Sequence, residues 1–492
     1  MVTALAPLAR AGAPPGTRAI ATGGFGDSRN GYAWSMAWFR GHLYVGTARS
    51  PLCVEQATMA FYFPALDHYR QRPATGIHCP STIHAADLRA EIWRYDPDGG
   101  RWTRVYRSPR VRNPRAPGTT IARDIGYRGM VVLREPRRRP ALYVAGMTAN
   151  EFVPELRRRH PPRILRTTAG RHFRPLRGGP GVIRGPAGIQ RPVGFRSMAV
   201  LDGELYVTAS GGLTGDGVVL RVRRPGGRSP RFEQVSPDGL GVFELETFAG
   251  RLYAGTGDQQ QGYGVWRMRR PGWEPVVTGG AGRGRTVTSV ISMESYGGRL
   301  YVGASQWGGS LFPVSELIRV APDGGWEVVA GAPRDADGTH RAPVSGWPDG
   351  FGNRFNMHFW RMQAFRGALL LGTNDWSWAL RDFAGVDDRI RSEFGFDLYA
   401  TCDGSDWWAA TRDGFGNGTA DFGVRTMAAS PAGLFVGTTN HLQGTAIYRS
   451  RRPPCEGGRR AWPAAAMASG ARRRAAAAAP RTKSHDARRM AG

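Results

Sequence analysis

A chain of 492 residues that is 41% hydrophobic can bury a large core, yet it has no run of eighteen apolar residues, which excludes a hydrophobic spanning helix. The formal charge of +28 comes almost entirely from Arg, Lys483 being the one lysine; with 69 Gly and abundant Ala and Pro, this skew reads as GC-rich coding and argues against specific nucleic-acid recognition. Four cysteines, Cys53, Cys79, Cys402 and Cys455, are too few for a disulfide scaffold.

Residues 1–16 lack a basic start followed by a long apolar stretch and read as a flexible N-terminus. The default compartment is then the cytoplasm; a misassigned start codon would make it extracellular. Thr17–Thr22 looks like a strand with no hairpin of its own. It is followed by a glycine loop, Gly23-Gly-Phe-Gly-Asp27, and then by the first hairpin, Phe39-Arg-Gly-His-Leu43-Tyr-Val-Gly-Thr47. That hairpin recurs with leucine anchors at Leu43, Leu142, Leu205, Leu252, Leu300, Leu369 and Leu434. The shortest intervals, 47 and 48 residues, suit a four-stranded blade, and the longer ones imply loop insertions. A Gly precedes most anchors by two positions, as in Asp202-Gly203, where a two-residue hairpin turn needs positive φ. Third strands carry an aromatic followed by Arg, such as Trp93-Arg94 and Trp266-Arg267. Fourth strands hold Trp102, Phe232, Trp273 or Trp326. The glycine loop returns after the fourth strand as Asp349-Gly-Phe-Gly-Asn353 and Asp413-Gly-Phe-Gly-Asn417.

Seven anchors predict an all-β chain, a seven-bladed β-propeller over residues 17–455, with six blades as the alternative. The last repeat lacks a fourth strand, so the N-terminal strand is expected to complete it and remove two open sheet edges. The insertion at about 49–88 is expected to act as a lid. It holds Cys53, His68, His78, Cys79 and His84, whose spacing matches no compact zinc motif; reduced cysteines and no metal are the expectation. Ala379–Phe396 is a second insertion, and its Asp382, Asp387 and Asp388 read as a solvated acidic turn. Residues 456–492 read as a disordered Ala/Arg-rich tail.

Segments entering the first strand and leaving the second share one face, the top, where propellers meet ligands around the channel. Six positions beyond the anchors stand Arg49, Thr148, Gly211, Asp258, Gln306, Asp375 and Asn440. Beside them are Trp307, Asn374, Trp376 and His441, and on the incoming side Asn356, His358, Trp360 and Arg361, with Arg128, Arg196 and Arg425 in three other repeats. Carboxylates and amides orient hydroxyls and indoles stack on apolar faces, so the set suits a polar ligand. Loop-entry polar residues also commonly satisfy orphan backbone groups. Asp258 and Asp375, or Glu244, Glu246 and Glu294, are the carboxylates an acid/base pair would draw on.

The repeat, with its Leu-Tyr-Val-Gly-Thr hairpin and Asp-Gly-Phe-Gly-Asn loop, resembles bacterial β-propeller repeats, mostly in proteins of unassigned function, over about residues 17–452. Asp98-Gly-Gly-Arg-Trp102 and Asp403-Gly-Ser-Asp-Trp407 are loosely similar to the Asp-box of sialidase-type propellers, departing from it by a missing residue. That likeness would imply an arginine triad holding a carboxylate, for which Arg128, Arg196 and Arg425 are the candidates. The leading expectation is a monomeric propeller binding a polar small molecule, a glycan or a protein on its top face, without cofactor. A glycan hydrolase or lyase is the alternative.

Overall fold

The computed structural model describes residues 12–66, 77, 79–185, 188–211, 217–306, 314–380 and 394–465. The chain is all-β and its antiparallel sheets are compatible with a β-propeller. Sheet 1 comprises Asn30–Phe39, His42–Arg49, Glu91–Asp96 and Arg101–Arg107. Sheet 2 comprises Gly126–Leu133, Ala141–Met147, Ile164–Thr167 and Arg174–Pro175. Sheet 3 runs from Gly194–Leu201 through Glu204–Ser210 and Val218–Arg223 to Arg231–Gln234. Sheet 4 runs from Val242–Phe248 through Arg251–Thr256 and Val265–Met268 to Trp273–Val277. Sheet 5 is Ser289–Tyr296, Arg299–Ser305, Ser315–Val320 and Trp326–Ala330. Sheet 6 is Asn356–Phe365, Ala368–Asp375, Leu398–Thr401 and Trp407–Thr411. Sheet 7 is Gly423–Ser430, Gly433–Thr439 and Ile447–Ser450, and its fourth strand is the N-terminal Thr17–Ala21. The first strand of each sheet packs beside the first strand of the next, and that of sheet 7 beside that of sheet 1.

Local chemistry explains these elements. The two-residue hairpin turns place Arg40-Gly41, Asp202-Gly203, Ala249-Gly250, Gly297-Gly298 and Arg366-Gly367 all at positive φ, the geometry that matches the twist of the flanking strands. The glycine loop that follows the fourth strands of sheets 4, 5, 6 and 7 connects each to the next sheet. Its central residue is left-handed in four copies: Phe25, Ala281, Phe351 and Phe415. The phenyl ring is thereby inserted against the third strand of the following sheet. Phe25 stacks on Trp93 at 4.9 Å, Phe351 on Tyr399 at 4.2 Å, and Phe415 meets Tyr448 edge-on at 4.8 Å. An Asn at the start of the next first strand locks the loop. Asn30 donates to Gly24 O and to Glu91, and Asn356 donates to Gly350 O and to Asp397, all within 3.0 Å.

The glycine of the Leu-Tyr-Val-Gly-Thr strand has a different role. Gly46, Gly255, Gly303, Gly372 and Gly437 have no left-handed φ; they mark where the next sheet presses closest. A Cβ on Gly46 would lie 2.7 Å from Tyr127 Cβ, on Gly372 2.3 Å from Val424 Cβ, and on Gly437 2.7 Å from Ala33 Cβ. Each of these partners is on the first strand of the following sheet. A backbone bridge repeats just beyond, as Ala48 with Gly126, Asn374 with Gly423 and Thr439 with Tyr32.

Two expectations are corrected. The cysteines are not reduced: Cys53 pairs with Cys79 and Cys402 with Cys455. The repeat spacing carries no information on which distant cysteines meet. Cys53 lies on the Pro51–Tyr62 helix and is buried with Cys79 against Ile121, Ala149 and Phe152. Order also continues past Glu456. Cys455–Glu456 pairs with Arg459–Arg460, Trp462 is buried, and Ala465 N donates to Ala409 O at 2.8 Å. The disulfide and the indole, which packs with Trp408, hold this hairpin to sheet 6. The remainder of the tail, residues 466–492, lies outside the described residues, as do His68, His78, Trp307, Asp382, Asp387 and Asp388. No helix among the described residues is long and apolar enough to cross a membrane.

Gly372→Ala should cost about 1–3 kcal/mol by overpacking against Val424, read as a lower thermal midpoint that Val424→Ala partly restores; an unchanged midpoint in the single variant would contradict the close-approach role. Opening the 53-residue Cys402–Cys455 loop by Cys455→Ser should cost about 3–4 kcal/mol on a loop-closure estimate, and proteolysis should then release the C-terminal hairpin first.

Candidate functional site

All seven first strands carry a β-bulge at one level. Trp34, Arg128, Phe243, Ile291, Trp360 and Arg425 are the extra, unpaired residues, and in sheet 3 Arg196-Ser197 stand opposite Thr208. A bulge re-aims a side chain out of the pleat. Here it brings three arginines and the Trp34 indole to one cavity of about 80 Å³, with the Trp360 ring beside Arg425. The guanidinium of Arg128 lies 5.2 Å from the Trp34 ring, that of Arg425 4.8 Å from Trp360, and that of Arg196 4.8 Å from Phe243. Arg196 also pairs with Glu244 at 3.0 Å.

An aromatic rim adjoins this layer. Tyr32 packs edge-on to Trp34, Trp360 and Phe422 at 6.0–6.4 Å, and its ring is 5.6 Å from His441. Trp378 meets His441 at 5.2 Å and Phe422 at 5.6 Å. Burial lowers the pKa of both His358 and His441 to about 3, aided at His358 by Arg196 and Arg425, so both imidazoles are neutral at physiological pH. From the Pro51–Tyr62 helix, Glu55 lies near enough to Tyr32 to bear on its hydroxyl. Glu55 itself is exposed, and it has no hydrogen bond or ion pair among the described residues.

The sequence-predicted residues divide into two groups. His358, Arg361 and His441 belong to the cavity and rim, with Arg128, Arg196, Trp360 and Arg425. The others are committed to the framework. Arg49 is fully buried and donates to Asn30, to Asp27 and to Asp87 O. Asp258 is exposed and caps the turn N–H groups of Gln260 and Gln261. Asp375 is buried and accepts from Ser377 N at 2.8 Å; Asn440 donates to Asp421 and caps Leu442 and Gln443. Trp376 donates to Arg354 O and packs on Phe355. Asn374 sits on the bridge to Gly423, and Gln306 N donates to Val314 O. Six positions beyond the anchor is therefore mostly a seam between sheets. The residues that sequence reasoning passed over are Tyr32, Trp34, Glu55, Trp378 and Phe422. A signal for the bulge layer was present: Met36, Met130, Met198, Met293, Met362 and Met427 each stand two residues after a bulge residue.

Glu246 and Glu294 lie on neighbouring first strands, next to the same cavity. Desolvation and then repulsion from Glu294 push Glu246 up to about 8, and desolvation pushes Glu294 up to about 7, against the attraction of Arg361. Glu294 accepts from Ala364 N at 2.9 Å and from Gln363 at 3.2 Å. No group of three or more metal-ligating side chains is assembled among the described residues.

No protein-family model matches the chain, and no curated protein sequence matches it. Among solved structures it is similar to a putative 6-phosphogluconolactonase from Bacteroides uniformis, at 13% identity over 77% of this chain and 83% of that one, with a TM-score of 0.40. It is similar to puromycin hydrolase at 13% identity and a TM-score of 0.43, where 89% of this chain spans about half (53%) of that one. An α-L-arabinofuranosidase from Clostridium thermocellum aligns at 12% identity over 77% of this chain and 93% of that one, with a TM-score of 0.31. At these values none carries an argument about activity.

The carboxyl pair has a pH signature. Both groups keep protons above the 4.5 of an ordinary Glu, so between about pH 5 and 8 the folded state binds protons that the unfolded state has lost. Stability from the pair is full below that window and falls as pH rises through it. Glu246→Gln should match the wild type near pH 5 and exceed its thermal midpoint at pH 8.5; parallel profiles would contradict the pairing.

Proposed function

We propose that the seven sheets form one closed seven-bladed β-propeller that binds a polar ligand, a glycan or a protein segment, at its top face. Ring closure is supported by the cyclic packing of first strands and by the Gly437–Ala33 approach between sheets 7 and 1. The binding reading rests on one observation: a rim of half-buried aromatic rings, Tyr32, Trp360, Trp378 and His441, beside a layer of arginines. Indoles stack on the apolar faces of sugars, and neutral imidazoles with nearby cations orient hydroxyl and carboxylate groups. A cavity of about 80 Å³ is too small for a sugar ring, so the ligand lies across the mouth. The two disulfides favour an oxidising, extracytoplasmic setting for this binding.

A glycan-active enzyme is the second reading, and one residue favours it. Asp258 and Asp375 are committed to turns, but Glu55 is unpaired among the described residues and exposed beside Tyr32 of the rim, where a carboxyl group can reach a ligand as proton donor.

Thermal-shift and calorimetric titration of the full chain with neutral sugars, uronic acids and oligosaccharides tests both readings. A ligand of the folded state raises the midpoint by mass action. Trp360→Ala should weaken a sugar hit at least tenfold, whereas a hit insensitive to Trp360→Ala and Tyr32→Ala lies elsewhere. Turnover abolished by Glu55→Gln with binding retained would select the enzyme; no sugar hit at all would select a protein partner.

A further inference from the structure

The cavity under the rim has an imbalance that the mouth does not need. Arg361 and Arg425 line it, and neither guanidinium makes a hydrogen bond or ion pair among the described residues. Arg425 Nε, Arg361 Nε and Trp34 Nε1 are all buried donors without an acceptor. Buried N–H groups left unpaired are destabilising, and more so when charged. The carboxylates nearby do not relieve this. Glu244 is taken by Arg196 at 3.0 Å, Glu294 is bonded to Ala364 N and Gln363, and Glu246, which also lines the cavity, accepts from Ser295 Oγ at 3.4 Å and forms no ion pair with Arg361 or Arg425 among the described residues. The aromatic faces beside Arg425 offer it a quadrupole, and they accept no hydrogen bond in the guanidinium plane.

We propose that the channel cavity is an anion seat, holding one small monovalent anion among Arg361, Arg425 and Trp34. Donor excess is the reason: the cavity presents cationic and neutral N–H groups from sheets 1, 6 and 7, and no acceptor among the described residues is bonded to them. Size sets the class, since about 80 Å³ holds a halide or a single carboxylate group with a few waters. Desolvation and repulsion from Arg196 lower the Arg425 pKa to about 9, in keeping with a cation short of counter-charge. The anion is either free in solution or the carboxylate of a ligand lying across the mouth. The seat is independent of sugar binding and stands if that reading fails.

The test uses the full chain in chloride-free buffer, titrated separately with sodium chloride and sodium acetate. Chlorine NMR line width reports halide exchange, and the thermal midpoint is followed for wild type, Arg425→Met and Arg425→Lys. In the absence of small anions, Arg425→Met should be at least as stable as the wild type, because it removes a repelled cation. Added anion should then stabilise the wild type alone, with Arg425→Lys intermediate, and the excess chlorine line broadening should fall at least tenfold in Arg425→Met. Stabilisation by chloride identifies a free anion, and stabilisation by acetate alone identifies a carboxylate group. Equal salt responses in wild type and Arg425→Met, or an Arg425→Met variant less stable in every buffer, would overturn the proposal and leave the cavity filled by water only.

Discussion

The contact on which the rest depends is the one made where a side chain is missing. The glycine in five of the second strands lets the first strand of the next sheet approach to van der Waals distance, as Gly46 does against Tyr127 and Gly437 against Ala33. Interiors are close-packed, so this spacing cannot relax by the width of a methyl group without moving a whole sheet. The close approach keeps neighbouring first strands tight against one another and the cavity small. Confinement then does the electrostatic work: it strips water from Arg425 and Glu246, which line the void, and from Glu294 beside it. The packing of strands and the unusual titration inside them share one cause.

The framework was legible because each of its devices is local in sequence. A positive-φ turn, a β-branched strand and a glycine loop with a central Phe each declare themselves within five residues. The loop's task was not legible. The stacking of Phe351 on Tyr399, and the bond from Asn356 to Asp397, join residues some forty positions apart. The site was read less well for the same reason. Counting from the anchor leucine found the polar residues that seal adjacent sheets, such as Arg49 and Asn440. The cavity is made by bulges on the preceding strand, and a bulge follows from pairing register, which no single strand specifies. The disulfides stand furthest from local rules, Cys402 and Cys455 being brought together by sheet 6 and a hairpin beyond sheet 7.

The arginine excess also has a structural share. Three buried carboxylates at the seams are answered by guanidinium groups: Glu91 by Arg104 and Arg107, Asp124 by Arg123 and Arg163, Glu316 by Arg283 and Arg334. Planar, always-charged guanidinium suits these sites better than an ammonium group does. Removing one partner of such a pair leaves a buried charge, so the seams are sensitive to single substitutions although their net stabilisation is modest. Arg361 and Arg425, placed by the same architecture, have no such carboxylate partner among the described residues.

The pairing of Thr17–Ala21 with Ile447–Ser450 has a consequence for synthesis. The outer strand of sheet 7 leaves the ribosome more than four hundred residues before its partner. At roughly 5–20 residues per second it waits on the order of tens of seconds, its backbone donors and acceptors unmatched. Six sheets can form in order behind it, each resting on its predecessor. The nascent chain must therefore carry a sticky segment through most of its own translation, and what guards that segment in the cell bears on yield as much as the final stability does.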